Sequence, residues 1–121
     1  KKDGVIVLLT PNTASYGHRT FGADWRGLEP PRHLHLFNQQ TLTQLAEKAG
    51  FGSVQAWTTP VGAYGIGQSS RSAAAASQTN SGCITVRDVI RGFRFQVAAS
   101  LRFLFDKNSG EECVLIAKRI S

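Results

Sequence analysis

The segment PPRHLHLF, residues 30–37, contains the side chains with the widest chemical capacity in this sequence. His33 and His35 are two of only three histidines in the chain, and Arg32 directly precedes them. A histidine titrates near neutral pH and can act as a general base, whereas an arginine offers a fork of donors to a phosphate or carboxylate. The segment therefore indicates proton abstraction by His33 or binding of an anionic group by Arg32 and His33. The alternative is structural, with both histidines bridging loop carbonyls.

Two other side chains in the same part of the chain are candidates for ligand contact. Asn12 follows the apolar run VIVLLT, residues 5–10, and Pro11. Ligands of open α/β sheets collect at the carboxyl ends of strands, so Asn12 either contacts a ligand or caps the local turn. Trp25 lies in the long stretch 12–37 and either lines a binding pocket or packs that stretch onto the sheet.

Length and composition place the chain among soluble globular proteins of one domain or part of one. It has 121 residues, of which 41% are hydrophobic and 18% charged, and a net charge of +6. Cys83 and Cys113 lack the spacing of metal ligands, and we expect reduced thiols in a cytoplasmic protein and no metal site. The chain contains no methionine, so we expect an excerpt of a longer protein or one whose start was processed.

The order of predicted elements is strand, long loop, helix, strand, helical insert, strand. The run 5–10 reads as a strand buried on both faces, and 12–37 as a loop. Asn38 caps a predicted helix that ends at Gly50, and a strand covers 53–59. The insert 61–105 holds a possible helix at 66–77 and a second helix from Thr85 to Phe105, followed by a strand at 112–119.

Three segments carry a resemblance to a known family: DGVIVLLTPN, FGADWRGLEPPRHLHLFNQQTLTQLAEKAGF and GEECVLIAKR. In this order they resemble the C-terminal half of a class I S-adenosylmethionine-dependent methyltransferase. The resemblance implies a Rossmann-like α/β sheet in which 5–10, 53–59 and 112–119 are strands five, six and seven. Strand seven would be antiparallel and inserted between the other two.

The resemblance also implies a function for the parent protein. It would transfer a methyl group from S-adenosylmethionine to a small-molecule acceptor, such as a sugar, lipid or quinone-type compound, selected by the acceptor-side loop 12–37 and the insert 61–105. Some sugar C-methyltransferases of this kind carry a Glu-His pair before the same helix. His33 takes the position of their catalytic base, while Arg32 replaces the glutamate. The acceptor-binding residues would be Asn12, Trp25, Arg32 and His35.

The glycine-rich turn that approaches the cofactor is absent from this sequence. Its one glycine cluster, GAYGIG at 62–67, follows a different strand. We therefore expect no cofactor-binding residues here, no tight binding of S-adenosylmethionine and no activity of the chain alone.

The basic second half allows a rival interpretation. Four arginines, Arg87, Arg91, Arg94 and Arg102, lie opposite the apolar stripe that begins at Val86 and would ordinarily form a solvated helix face. The rival is a free-standing basic binding module for an anionic membrane or nucleic acid. Under the methyltransferase interpretation we expect no nucleic acid partner and only a weak contact with a membrane surface. We also expect a homodimer through an exposed edge at residues 5–10.

Overall fold

The computed structural model describes residues 3–70 and 84–120 of the chain. In chain order, the strands and α-helices are β1 Val5–Pro11, α1 Tyr16–Phe21, α2 Gln39–Lys48, β2 Phe51–Thr59, α3 Ala63–Ser69, α4 Val86–Phe105 and β3 Glu112–Arg119. Two short 3-10 helices, Gly22–Asp24 and Arg26–Leu28, follow α1.

The three strands form one sheet in the order β1-β3-β2, and β3 runs antiparallel to both neighbours. Leu115 of β3 pairs with Leu8 of β1 on one side and with Ala56 of β2 on the other. The last strand of the chain therefore lies between the first two. This is the order predicted for strands five, seven and six, and the α/β class is confirmed.

The main core lies between this sheet and α2. Leu42 and Ala46 of α2 pack against Cys113, Leu115 and Ala117 of β3. The helix begins as predicted, because the Asn38 side chain accepts from the backbone N–H of Thr41 at 2.8 Å, and Gly50 follows its end with φ of 82°. Cys113 is a free, buried thiol, as expected, and burial raises its pKa to about 11. Cys83 lies outside the described residues.

The prediction that β1 is buried on both faces is wrong. Ile6 and Leu8 pack into the core under α2, whereas Val5, Val7 and Leu9 are 63–64% exposed. The reason is that α2 covers only one face of the sheet, and within residues 3–70 and 84–120 no element covers the other. In the same residues β1 pairs with β3 alone, so its outer edge is free. The homodimer through residues 5–10 stays a prediction.

The stretch 12–37 contains more regular structure than a loop. Ser15 caps α1, because its hydroxyl accepts from the N–H of His18 at 2.9 Å. This six-residue helix and the two 3-10 helices show no apolar periodicity from which they could be predicted.

The insert begins with α3, which contains residues 66–69 of the helix predicted at 66–77. Residues 71–77 of the predicted helix lie outside the described residues. The glycines of GAYGIG lie around and within α3, where Gly67 faces the Phe95 side chain so closely that a Cβ would overlap it. Gly67 therefore permits close packing between α3 and α4.

The long helix α4 begins as predicted, since Thr85 and Asp88 form a capping box. Its buried face is different from the predicted one. Gly92, Phe95 and Ala99 are buried, while the apolar stripe beginning at Val86 is exposed. The physical reason is that α4 packs on α3 and α1, with Tyr16 and Phe21 against Phe95, and not on the sheet.

Candidate functional site

The two ends of the stretch 12–37 are joined at the carboxyl end of β1. Asn12 forms a parallel bridge with Phe37, and the N–H of Thr13 donates to the carbonyl of Phe37 at 2.9 Å. The residues between them therefore form a closed excursion whose start and finish are held together by backbone hydrogen bonds. Such closed loops on a sheet edge commonly carry function.

Asn12 forms the structural centre of this junction. Its side-chain amide donates to the carbonyls of Asn108 and Gly110, at 2.8 and 2.7 Å, and its side-chain oxygen accepts from the N–H of Ala14 at 3.0 Å. The side chain is fully buried. Both of its N–H donors are used by the protein itself, and they tie the end of β1 to the turn before β3.

Glu111 continues the buried polar network from Asn12 toward α1. Its carboxylate accepts from the N–H of Gly17 at 2.7 Å and from the indole N–H of Trp25 at 3.4 Å. Burial raises the pKa of Glu111, and hydrogen bonds from Gly17, Ser15 and Trp25 offset only part of that rise. Gly17 permits the approach, because a Cβ there would overlap the carboxylate.

Trp25 is enclosed by the loop that contains it. Only 2% of the residue is exposed, and its ring stacks on His18 with centroids 4.8 Å apart. His18 is itself fixed, since its Nδ1 donates to the carbonyl of Thr13 at 2.7 Å. We call Asn12, Trp25 and Glu111 the polar hub. Its members face protein atoms.

A second group of polar residues lies in the same loop but at the surface. Glu29 accepts from Arg26 Nε at 2.6 Å through one oxygen. Its other oxygen lies 3.3 Å from Arg32 Nη1 and 3.7 Å from His33 Nε2. The hydrogen bond from Arg26 holds the pKa of Glu29 below its usual range. We call Arg26, Glu29, Arg32 and His33 the ionic cluster.

The ionic cluster is the group of residues in this loop whose hydrogen-bond donors remain accessible to a ligand. Arg32 is exposed and His33 half-buried, so each retains donors that solvent or a ligand can reach. A carboxylate beside an imidazole orients the ring, whereas two guanidinium groups attract anions. His35 is exposed and lies beside Phe37, with ring centroids 6.4 Å apart, away from this cluster.

The predicted site residues thus fall into three places. Arg32 and His33 are brought together through Glu29, Asn12 and Trp25 belong to the polar hub, and His35 stands apart. Sequence reasoning missed Glu29 and Glu111. Glu29 could have been found, because a single carboxylate three residues after Arg26, three before Arg32 and four before His33 is an ion-pair spacing on a compact turn. Glu111 carried no such signal.

A polar cleft of about 440 Å³ opens between the end of β1 and the first turns of α2. Its lining includes the side chains of Asn38, Gln39, Gln40, Thr43, Gln44 and Asn108. Amide and hydroxyl groups of this kind bind neutral polar ligands by hydrogen bonding. The cleft lies at the carboxyl end of β1, where ligands of α/β sheets collect.

A nucleotide-type cofactor such as S-adenosylmethionine is commonly held by a glycine-rich turn between a strand and a helix. In the described part of the chain the glycine cluster at 62–67 has a different environment, because Gly67 packs against Phe95 of α4 and Gly62 lies beside Glu112. Among residues 3–70 and 84–120, no group of three His, Cys, Asp or Glu side chains could hold a metal ion.

Comparison with known proteins gives one family match, which covers the first part of the chain. The model of the methyltransferase domain matches residues 1–56. No curated protein matches the chain. A solved structure of Haemonchus contortus phospholethanolamine N-methyltransferase 2, in complex with phosphomonomethylethanolamine and S-adenosylhomocysteine, is similar to it with a TM-score of 0.45 and 14% identity. The similarity covers 100% of this chain and 27% of that one, so the chain spans about a quarter of that protein's length.

Proposed function

We propose that this chain, whose residues 1–56 match the model of the methyltransferase domain, is the acceptor-side C-terminal part of an S-adenosylmethionine-dependent methyltransferase. In the parent enzyme the loop 12–37 and the insert 61–105 select a small-molecule methyl acceptor. The chain alone is inactive, because the residues that bind the cofactor lie elsewhere in the parent.

The observation that carries this proposal is the family match over residues 1–56, which spans β1, the loop and α2. The sheet order supports it independently, since the antiparallel β3 lies between β1 and β2 as the resemblance implies. The ionic cluster and all of the cleft lining except Asn108 lie within this matched segment. The cleft opens at the carboxyl end of β1, the edge of a sheet where α/β enzymes bind their ligands.

Within the proposed function, the ionic cluster binds the acceptor. Arg32 supplies an exposed guanidinium for an anionic group of the acceptor. His33 contacts the acceptor, where an imidazole can serve as the base that removes a proton from the carbon to be methylated. Glu29 lies beside His33 and supplies the carboxylate that the Glu-His pair would have, from a position four residues earlier in the chain.

Calorimetric titration of S-adenosylmethionine into the chain tests the missing cofactor half. We expect no saturable binding below millimolar concentrations, because no glycine-rich turn is available. The parent enzyme is the positive control and should bind in the micromolar range typical of such cofactors. A micromolar dissociation constant for the chain itself would overturn the proposal.

Substitution in the parent enzyme tests the acceptor side. His33→Ala should lower turnover at least tenfold while leaving cofactor affinity and folding unchanged, a typical loss for one positioned acid–base or binding group. Lys48→Ala, at the exposed end of α2, is the matched control and should leave turnover unchanged. Unchanged turnover of His33→Ala would return both His33 and Arg32 to a structural role.

A further inference from the structure

We propose that α4 is a docking surface for an anionic lipid membrane, on which it lies flat. The proposal does not depend on the methyltransferase assignment, because it rests on the side chains of one helix and their exposure. It turns the weak membrane contact expected from the sequence into a defined surface.

An unusually apolar side of α4 faces away from the protein. Successive residues of a helix turn by about 100°, which places seven large apolar side chains within one arc. Each of them is between 44% and 75% exposed: Val86, Val89, Ile90, Phe93, Val97, Leu101 and Leu104. We call this group the apolar arc. It runs over nearly the whole helix, and exposed apolar patches of that extent mark interaction surfaces.

Arginine side chains border the apolar arc along one side. Arg94, Arg87, Arg91 and Arg102 follow the arc around the helix, between it and the buried face. Arg91 pairs with Asp88 at 3.4 Å. Arg87 and Arg94 make no ion pair within residues 3–70 and 84–120 and are exposed. The helix therefore presents an apolar arc beside a row of cations, which is the pattern of helices that lie in a membrane interface.

The same pattern argues against the other partners. A nucleic acid would use the arginine row but leave seven apolar side chains in water. A second copy of the chain would cover the apolar arc but bring an identical row of cations, and no anion for Arg87 and Arg94, which have no ion-pair partner within the described residues. An anionic lipid surface satisfies both features, because acyl chains receive the apolar arc and headgroups receive the guanidinium groups.

The buried face of α4, opposite the apolar arc, anchors the helix to the rest of the protein. Gly92, Phe95 and Ala99 pack on α3 and α1, so the apolar arc is not needed for the core. Within the described residues, no helix has the length and apolar character to cross a bilayer. The contact is therefore one of a helix lying on the surface, and substitutions in the arc leave the fold intact.

Flotation of the chain with phospholipid vesicles tests the proposal. We expect binding to vesicles in which one third of the lipid is phosphatidylserine and the rest is phosphatidylcholine, and little binding to vesicles of phosphatidylcholine alone. Binding to the anionic vesicles should decrease as the salt concentration rises. Because each cation near the surface contributes about fivefold in affinity, Arg87→Glu with Arg94→Glu should lower binding tenfold or more. Phe93→Asn with Leu104→Asn should do the same without changing the circular dichroism spectrum.

The matched controls are Lys48→Glu and Leu45→Asn, an exposed cation and an exposed apolar residue of α2, which should bind vesicles like the unchanged chain. No binding to anionic vesicles, or equal loss in the controls, would overturn the proposal. Self-association in ultracentrifugation that Phe93→Asn abolishes, in the absence of vesicle binding, would instead assign α4 to a second copy. Binding to single-stranded DNA in place of vesicles would assign it to nucleic acid.

Discussion

The polar hub and the ionic cluster both contain residues of the stretch 12–37, yet they use their polar side chains in opposite ways. In the hub, Asn12 and Glu111 are buried, and their hydrogen bonds go to backbone groups, Ser15 and Trp25. In the cluster, Arg32 and His33 share the single carboxylate of Glu29 and remain open to solvent. The hydrogen-bonding groups of the hub are satisfied within the protein and hold the loop closed, whereas the cluster has donors that remain available to a ligand.

The difference shows how residue type alone misleads in a loop. Asn12, Trp25, Arg32 and His33 all have side chains suited to a binding site, and all were candidates on that basis. Burial divides them, because a buried polar group must be satisfied by the protein, whereas an exposed one exchanges water for a ligand at low cost. Substitutions in the hub should therefore affect folding, and those in the cluster should affect function.

The largest expected effect is that of Trp25→Ala in the hub. Removing an enclosed indole should lower the free energy of unfolding by about 3–5 kcal/mol, measured by urea denaturation at neutral pH. Trp57→Ala, which removes a partly exposed ring on the uncovered face of the sheet, is the control and should cost clearly less. Equal losses would show that Trp25 is not part of the core of the loop.

Asn12→Asp should give the next largest loss. The substitution keeps the shape and the oxygen that accepts from Ala14, but replaces a donor to the carbonyls of Asn108 and Gly110 with an acceptor. Buried groups left without a partner cost about 1–3 kcal/mol, so the urea midpoint should fall accordingly. Asn108→Asp makes the same chemical change on an exposed side chain and should be nearly neutral. A neutral result at Asn12 would mean that the hub is not sealed from water.

The two carboxylates should give pH dependences of opposite sign. Burial raises the pKa of Glu111 in the folded state, so its contribution to stability is present below the ordinary glutamate pKa and is lost as pH rises through the raised value. The free energy of unfolding of the native chain, minus that of Glu111→Gln, should therefore decrease as pH rises from the ordinary glutamate pKa through the raised value and level off above it.

Glu29 should behave in the reverse sense. Its pKa is lowered, chiefly by the hydrogen bond from Arg26, so its contribution is present above the ordinary glutamate pKa and is lost as pH falls through the lowered value. Glu29→Gln should therefore remove a stabilisation seen only above the acid range. Difference curves of the same sign for the two variants would contradict the assignment of one carboxylate to the hub and the other to the cluster.

The sequence predicted those parts of the fold that are set by local patterns. The helix α2 has a cap at Asn38 and a terminating Gly50, and both act within one turn. The sheet order followed from the family resemblance, not from periodicity. The helix α1 was missed, because its six residues depend on the cap at Ser15 and on contacts of Gly17 with Glu111, almost a hundred residues away.

The buried face of α4 could not be predicted from its sequence for a related reason. The stripe beginning at Val86 has the stronger apolar periodicity. The buried face is nevertheless the one with Gly92 and Ala99, because these small residues allow close packing against α3. The candidate site was predicted in part. Arg32 and His33 were identified from their types. Their common partner Glu29 was missed, although its spacing is that of an ion pair, and the structure places it on a tight turn where its backbone φ is 26°.

The smallest expected effect on stability is that of Arg32→Ala in the cluster, and it is the sharpest test of the comparison. An ion pair at the surface contributes about 0–1 kcal/mol, because water solvates both partners after the pair is broken. The urea midpoint should therefore move little at neutral pH. In the parent enzyme the same substitution should raise the KM for the acceptor, with Arg19→Ala, another exposed arginine of the loop, as the control. A large loss of stability with unchanged KM would show that Arg32 has a structural role like that of the hub residues. The proposed separation between structural and ligand-binding residues would then be wrong for Arg32.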